Sequence, residues 1–392
     1  MIITRLEALE FRNLEGSCTF GPGLNILCGD NAQGKTNWLE SIYVLATTKS
    51  YRTKQLRDVI RIGSGNAIVR GEVQRGSLTK QQQIQINESS REMFINGKRE
   101  SISRYLGNLD VFVFSMEGLE IIRGEPAERR RFLDRGIVGI TPSFLATISE
   151  YNQVIRQKNK LLSMAAESDN PEDFRRQVEA WNQQLVTLGT AIHEARVNYV
   201  DKLNRILAET DNGRSIFGAE RTSLRYRSQL EGRGDLGDYA ALFAERLGVR
   251  LTAELAAGHS LIGPHRDDLE ILADGLEIAR FSSAGQQKST LFILDLAQLF
   301  IYNNVYEEKP VLLIDDIDAE LDRGRVDAVL SEVEGRAQTF ISTSRRTIAD
   351  RYSDRASTYL VVTGKMTSST PEAEMVRSTG QDRPTVPPAD ID

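Results

Sequence analysis

Cysteine is nearly absent. Cys18 and Cys28 are the two in 392 residues, too few for a disulfide framework, which points to a reducing cytoplasm. Histidine is almost as scarce, with three residues, leaving little from which to build a His-based metal site. No apolar run approaches the ~18 residues of a membrane span, and residues 1–20 lack the layout of a signal peptide. Positive charge is not in excess either: 49 Lys and Arg against 55 Asp and Glu give a net charge of −6. A generic polyanion-binding surface is therefore excluded, and any nucleic-acid contact has to come from local basic patches. What is left, 40% hydrophobic and 27% charged residues, is an ordinary globular composition, long enough for two or three domains.

The first 115 residues read as strands and short helices. Leu24-Asn25-Ile26-Leu27-Cys28 is a short apolar run ending in glycine, the pattern of a buried strand. Ile84 and Ile86 alternate with polar residues, and Phe94-Ile95 enters Asn96-Gly97, the dipeptide that best supplies positive φ at both centres of a tight hairpin.

Over residues 142–210 the period changes. Tyr151, Val154, Ile155, Lys158, Leu161 and Leu162 fall at helical spacing. After the break Glu167-Ser168-Asp169-Asn170-Pro171, a second series runs through Phe174, Val178, Trp181, Leu185, Leu188 and Ile192, extended by Ala195, Tyr199, Leu203 and Ile206. That is a 3.5-residue seam, which wants another helix against it. Two readings fit: a pair of ordinary core helices, or an antiparallel helical arm, which is the expectation here. Residues 260–363 return to strand–helix alternation.

Gly29-Asp30-Asn31-Ala32-Gln33-Gly34-Lys35-Thr36 matches G-x-x-x-x-G-K-[ST] at every specified position. An apolar strand precedes it and a helical pattern from Trp38 follows, which is the order that phosphate binding requires. Backbone N–H groups at the helix start can face phosphate oxygens, Lys35 can reach the β- and γ-phosphates, and the Thr36 hydroxyl can bind Mg²⁺. Cys28, beside this loop, reads as a strand-end packing residue. Downstream, Val311-Leu312-Leu313-Ile314 suits a central parallel strand that delivers Asp315 and Asp316 at its C-terminal end, where ligands sit in open α/β sheets. Asp315 is assigned to the Mg²⁺ shell and Asp316 to the attacking water. Between these segments, Ser283-Ala284-Gly285-Gln286 opens an apolar helix. It can expose N–H groups to an anion, or be no more than a good helix cap.

Together these segments resemble the head of an ABC/SMC-type ATPase, with Ser283 to Gln286 as the signature motif, Asp315-Asp316 as the Walker B end and Ala319-Glu320-Leu321-Asp322 as the D-loop. More closely, residues 1 to about 345 resemble the RecF family of bacterial recombination-mediator ATPases. The resemblance is carried by Phe11-Arg12-Asn13, Gly29 to Asn37, Ser50-Tyr51-Arg52-Thr53, Gly124-Glu125-Pro126, Arg129-Arg130, Phe132-Leu133-Asp134, Gly263-Pro264-His265-Arg266-Asp267-Asp268 and Gly285-Gln286-Gln287. Met116 departs from the family's usual proline before an acidic residue. Asp316 replaces the glutamate common in ABC proteins, as in the family, and the strand Thr339 to Ser344 has no switch histidine.

The resemblance implies an α/β fold: a P-loop ABC/SMC-type head with a mixed sheet, plus an α-helical arm. The head would comprise residues 1–115 and 258–365, the arm residues 116–257, and a disordered tail residues 366–392, which hold four of the ten prolines. It implies a cytoplasmic weak ATPase that uses ATP and Mg²⁺ as a switch and forms an ATP-dependent homodimer. Such a protein binds duplex DNA and single-strand/duplex junctions and works with RecR and RecO to load RecA at gaps. The cofactor-binding set is Gly29, Asp30, Asn31, Ala32, Gln33, Gly34, Lys35 and Thr36, with Ser283, Gly285 and Gln286. Thr36 and Asp315 are the metal ligands, and Asp316 and Lys35 the catalytic pair. His265 is expected to be structural or near the nucleotide.

Lys49, Arg52, Lys54, Arg57 and Arg61, with one acid among them, are the first candidate DNA patch. Arg156, Lys158 and Lys160 form a second, and Arg123, Arg129, Arg130, Arg131 and Arg135 a third that could equally be an internal ion-pair network. Competing classes are another ABC/SMC-like ATPase not acting on DNA, a stand-alone P-loop enzyme such as a kinase, and a transporter-coupled ATPase. A kinase completes its site within one chain and has no need of a signature segment, and residues 142–210 suit an SMC-like head better than a membrane-coupling surface.

Overall fold

The computed structural model describes residues 1–211, 221–320 and 323–368. These divide into two compact units: Met1–Ser115 with the chain from Glu308 on, and Met116–Glu307.

The first unit has two six-stranded sheets. One is antiparallel, with strands in the order Leu14–Thr19, Ile2–Phe11, Asn66–Arg75, Leu78–Asn87, Arg91–Ile95 and Lys98–Glu100. Its last hairpin turns at Asn96 and Gly97, both at positive φ, as the sequence predicts. The other is mixed, in the order Lys365–Ser368, Ala356–Val362, Leu24–Cys28, Gln338–Thr343, Val311–Ile314 and Val111–Phe114, and all but the first strand run parallel. The helix Lys35–Thr47 shares one core with both sheets: Trp38, Leu39, Ile42, Val44 and Leu45 cluster with Leu6, Val69 and Ile84 of one and Leu27, Leu313 and Phe340 of the other. A helix apolar on nearly every side has to be covered on nearly every side, and two sheets supply that cover. Met366, the expected start of the disordered tail, is instead buried in the strand Lys365–Ser368. Residues 369–392 lie outside those described.

The second unit contains the long helices Pro126–Ile140, Phe144–Ala166, Asn182–Asp211, Tyr239–Ala257 and Ala284–Val305, with a three-stranded sheet ordered Leu276–Glu277, Asp268–Ala273 and Thr222–Arg227. Residues 258–307 therefore fall within this unit and outside the head portion to which the sequence assigns them. The reason is pairing: Asp268–Ala273 takes Thr222–Arg227 as its neighbour, and Ala284–Val305 packs on Asn182–Asp211 and Pro126–Ile140.

The expected 3.5-residue seam is present, interrupted near Trp181. Val178 sits on a short helix Arg175–Glu179, and the long helix starts at Asn182. Leu185, Ile192, Tyr199 and Leu203 are buried, and the long helix packs against Phe144–Ala166, Tyr239–Ala257, Ala284–Val305 and Pro126–Ile140. Lys158 near the end of the first helix donates to Asn182 at the start of the second, so the two run antiparallel. No described helix is long and apolar enough to cross a membrane.

Lys158 is not a DNA-facing residue. It is fully buried, with Nζ 2.7 Å from Glu254 of Tyr239–Ala257. Burial lowers its pKa although Glu254 opposes the shift. Glu254 also accepts from Ser260 Oγ at 3.0 Å and from the Leu261 N–H at 2.8 Å. Lys158→Met leaves that carboxylate unpaired and should cost about 3–5 kcal/mol in urea unfolding. Adding Glu254→Gln should return most of that stability, because the amide oxygen still accepts from Ser260 and Leu261. If the single variant is as stable as the parent, the pair does not hold these helices together.

Candidate functional site

The loop from Gly29 to Gly34 leaves the Leu24–Cys28 strand at the middle of the parallel sheet and enters the Lys35–Thr47 helix. Gly34 caps that helix at φ 108°, and a Cβ there would press on the Asn13 side chain and on Gly364. A hairpin between Ala356–Val362 and Lys365–Ser368 clamps the loop. The Thr363 N–H donates to Gln33 Oε1 at 2.6 Å, the Gly364 N–H to Gln33 O at 2.8 Å, and Trp38 Nε1 to Gly364 O at 3.1 Å. Sequence reasoning missed Thr363 and Gly364; the one available signal is a glycine interrupting an apolar alternation. Lys35 is buried, and its ammonium donates to the carbonyls of Gly29 at 2.8 Å and Asp30 at 2.9 Å. Among the described residues no carboxylate pairs with it. A buried cation served only by carbonyl dipoles is short of negative charge, which an anion in the loop would supply.

Asp315 emerges from Val311–Ile314 and faces three hydroxyls. Thr36 Oγ1 and Ser342 Oγ donate to its Oδ1 at 2.9 and 2.7 Å, and the Tyr51 hydroxyl to its Oδ2 at 3.3 Å. Burial raises its pKa, hydrogen bonds from Ser342 and Thr36 oppose that, and nearby Asp316 adds to it. A half-buried carboxylate beside a threonine hydroxyl is a hard-oxygen donor pair suited to a small divalent cation that phosphates and water also ligate. No cluster of three or more His, Cys, Asp or Glu able to hold a metal occurs among the described residues. Asp316 is exposed at φ +46°, with its N–H donating to Ser342 Oγ at 2.7 Å. Ser342 thus ties both aspartates together. It was not singled out from sequence, although its strand is the partner of Val311–Ile314. Of the D-loop segment, Leu321 and Asp322 lie outside the described residues.

The first basic patch is only partly free. Glu40, fully buried, accepts from Arg12 Nε at 2.5 Å and Nη2 at 2.8 Å, from Ser50 Oγ at 2.6 Å and from Arg52 Nη1 at 3.3 Å. Arg52 also donates to Asn37 Oδ1 at 2.8 Å, so its guanidinium is engaged internally. Arg61 pairs with Glu10 and Glu15. Lys49, Lys54 and Arg57 are exposed and form no ion pair among the described residues. Arg57 and Arg91 line one cleft of about 470 Å³; Arg91 was missed because it stands alone in the sequence.

In the second unit, Ser283 caps Ala284–Val305 reciprocally: its Oγ accepts from the Gln286 N–H at 3.3 Å, and its own N–H donates to Gln286 Oε1 at 2.5 Å. Ser283, Ala284 and Gly285 line this helix start, with Ala284 and Gly285 exposed. The third basic cluster resolves largely into internal contacts. Arg129 grips Asp268 at 2.7 and 2.9 Å, Arg130 donates to Asp267 O at 2.6 Å, Arg131 pairs with Glu128, and Arg123 donates to Gln287 Oε1 at 2.6 Å. Asp267 accepts from the Tyr226 hydroxyl and the Gln229 N–H, and Arg196 forks onto Asp134. The Gly263–Asp268 block is thus a polar joint centred on buried Asp267.

The geometry has counterparts among known proteins. The model of the RecF/RecN/SMC N-terminal domain matches residues 2–367. DNA replication and repair protein RecF of Halothermothrix orenii is 34% identical over 347 residues, covering 87% of this chain and 92% of that protein. The chain belongs to the RecF family. RecF of Bacillus thuringiensis is 32% identical over 349 residues, 88% of this chain and 92% of its own. A solved structure described as the recombination mediator protein RecF-ATP in the RecFOR pathway superposes with a TM-score of 0.82 at 28% identity, covering 93% of this chain and 97% of that one. An Smc head from Pyrococcus furiosus, at 17% identity and TM-score 0.55 over 96% of this chain and 98% of its own, shares the fold. The α/β head fold expected from sequence is therefore the RecF fold.

Within the RecF-type Gly263–Asp268 block, burial, helped by Arg266, lowers the pKa of His265 to about 4, and its Nδ1 lies 2.7 Å from the Tyr151 hydroxyl. Between pH ~6.5 and ~4 the unfolded chain binds this proton and the folded one does not, so stability falls as pH drops through that window. From pH 7 to pH 5 the histidine alone should cost about 2 kcal/mol. In urea melts, His265→Asn should lose less stability than the parent over this interval; identical losses would place the acid sensitivity elsewhere.

Proposed function

We propose that this RecF-family chain is an ATP-dependent DNA-binding protein of recombinational repair and replication, with weak ATPase activity serving as a switch. The observation that carries the nucleotide reading is the 2.9 Å contact between Thr36 Oγ1 and Asp315 Oδ1, at the C-terminal ends of parallel strands and beside a glycine loop whose lysine pairs with no carboxylate among the described residues. In this reading the N–H groups of residues 29–36 cradle the phosphates and Lys35 swings from its carbonyls onto the β- and γ-oxygens. Thr36 and Asp315 hold Mg²⁺, which when bound offsets charge on the phosphates. Asp316, exposed and without an ion-pair partner among the described residues, orients the attacking water and accepts its proton. With Asp in place of a longer Glu, hydrolysis is slow.

The cap at Ser283 and Gly285, with Gln286, receives the γ-phosphate bound by a second copy, giving a two-fold dimer with two shared nucleotides. ADP, lacking that phosphate, does not hold the dimer. DNA, as duplex and single-strand/duplex junctions, meets Lys49, Lys54 and Arg57. RecR and RecO are the partners with which RecA is loaded at gaps, a reading supported by the RecFOR relatives.

Ser283→Arg should leave ATP binding to the monomer intact while abolishing ATP-driven dimerisation and turnover. Lys35→Met should lose ATP binding. Mixed together, these two chains can pair one intact P-loop with one intact signature segment, and sedimentation and turnover should show partial rescue. A Ser283→Arg protein that dimerises normally sinks the composite site.

Neutralising Lys49, Lys54 and Arg57 together should weaken DNA binding without changing ATP affinity. The slope of log K against log salt should become shallower by about 0.9 for each duplex phosphate that is no longer neutralised. An unchanged slope would make this patch ordinary solvated surface.

A further inference from the structure

Gln287 stands one turn inside the helix that Ser283 caps, and its side chain is buried. Nε2 donates to Ser282 O at 3.2 Å and, more weakly, to Ile278 O at 3.4 Å. Oε1 accepts from Arg123 Nε at 2.6 Å, from a segment 164 positions earlier. One amide thus joins the peptide immediately before the signature segment to the end of the short helix Glu120–Arg123.

Arg123 is anchored rather than free to swing. The next residue's N–H, on Gly124, closes onto Glu120 O at 2.8 Å, and Gly124 O accepts from Arg129 Nη1 at 2.9 Å while Arg129 grips Asp268. The polar joint of Asp267 and Asp268 therefore fixes the backbone from which Arg123 reaches Gln287. A cationic donor on a buried amide oxygen is stronger than a neutral pair, and removing it strands the amide. Arg123 forms no ion pair with a carboxylate among the described residues, so its charge stays un-neutralised beside a helix N-terminus, where an anion is already favoured.

We propose that Arg123 is a positioning residue of the signature segment, acting through Gln287 to hold Ser282 and Ser283 in the pose that receives a second copy's nucleotide phosphate. This rests on the composite-site reading above. The alternative use of Arg123, as part of a DNA-facing basic cluster, does not explain why its Nε points into a buried amide.

The test compares Arg123→Ala, Gln287→Leu and the double variant by ATP affinity of the monomer, ATP-driven sedimentation and turnover. Monomer affinity should stay at the parent value, since the P-loop lies in the other unit. Dimerisation should weaken about tenfold or more, and the double variant should be no worse than either single one, the mark of two residues acting as a unit. Mixing Arg123→Ala with Lys35→Met should restore part of the turnover, because the first brings an intact P-loop and the second an intact signature segment. A merely misfolded protein gives no such rescue. Normal dimerisation of Arg123→Ala alongside a monomeric Ser283→Arg overturns the inference and leaves the composite site standing. Additive losses in the double variant also overturn it, and a Ser283→Arg dimer removes the reading on which it rests.

Discussion

The hydrogen bond from Thr36 Oγ1 to Asp315 Oδ1 joins residues 279 positions apart, and much of the first unit is what that bond requires. Thr36 can reach Asp315 only if Leu24–Cys28 and Val311–Ile314 end at the same edge of one parallel sheet, with Gln338–Thr343 between them. Parallel neighbours need crossovers, and sheets of this kind need cover on both faces. The Lys35–Thr47 helix supplies cover on one face, and its own far side is covered in turn by the antiparallel sheet. Ser342, on the intervening strand, then bonds Asp315 and receives the Asp316 N–H. The chain folds around a carboxylate that burial makes costly to ionise, and its hydroxyl partners lower that cost only in part.

How much of this was legible in sequence depended on range. The glycine loop, the Asn96-Gly97 turn and the Asp315-Asp316 pair are local signals, and each sits where its local chemistry places it. Lys158 failed for a non-local reason. On its own helix it is one cation among Arg156 and Lys160, and only Glu254, on a helix almost a hundred residues later, makes its burial tolerable. Arg52 stays exposed but is drawn onto Glu40, a buried sink that no run of basic residues reveals. The division of the chain at Glu307/Glu308 rather than at 257/258 was equally hidden: strand–helix alternation is identical whether Asp268–Ala273 pairs with the parallel sheet or, as it does, with Thr222–Arg227. The partner that a strand chooses is tertiary information.

An acidic chain that is to touch a polyanion has to withhold some of its cations from its own carboxylates. Many arginines of the motif-rich blocks are engaged internally: Arg12 and Arg52 on Glu40, Arg129 on Asp268, Arg196 on Asp134. Each such pair removes a charge from the long-range field. Within the first candidate patch and the cleft beside it, Lys49, Lys54, Arg57 and Arg91 stay exposed and form no ion pair among the described residues. Net charge is therefore a poor guide to where such a protein is positive; pairing is the better one.

The helix start at Ser283 obeys the same economy with hydrogen-bond donors in place of cations. A helix leaves its first N–H groups without intrahelical partners. Here the reciprocal cap satisfies two donors, the Ser283 and Gln286 N–H groups, with the side chains of the same two residues. Those of Ala284 and Gly285 remain at an exposed surface. A Cβ on Gly285 would meet only Ser283 Oγ, at 3.9 Å, so an incoming oxygen can approach those two groups without displacing a side chain. The cap therefore keeps the helix terminus ordered without consuming the Ala284 and Gly285 donors, and the Gln287 amide fixes the peptide that leads into it. A serine there that bonded outward instead of to Gln286 would gain one ligand interaction and lose the order of the segment that presents the rest.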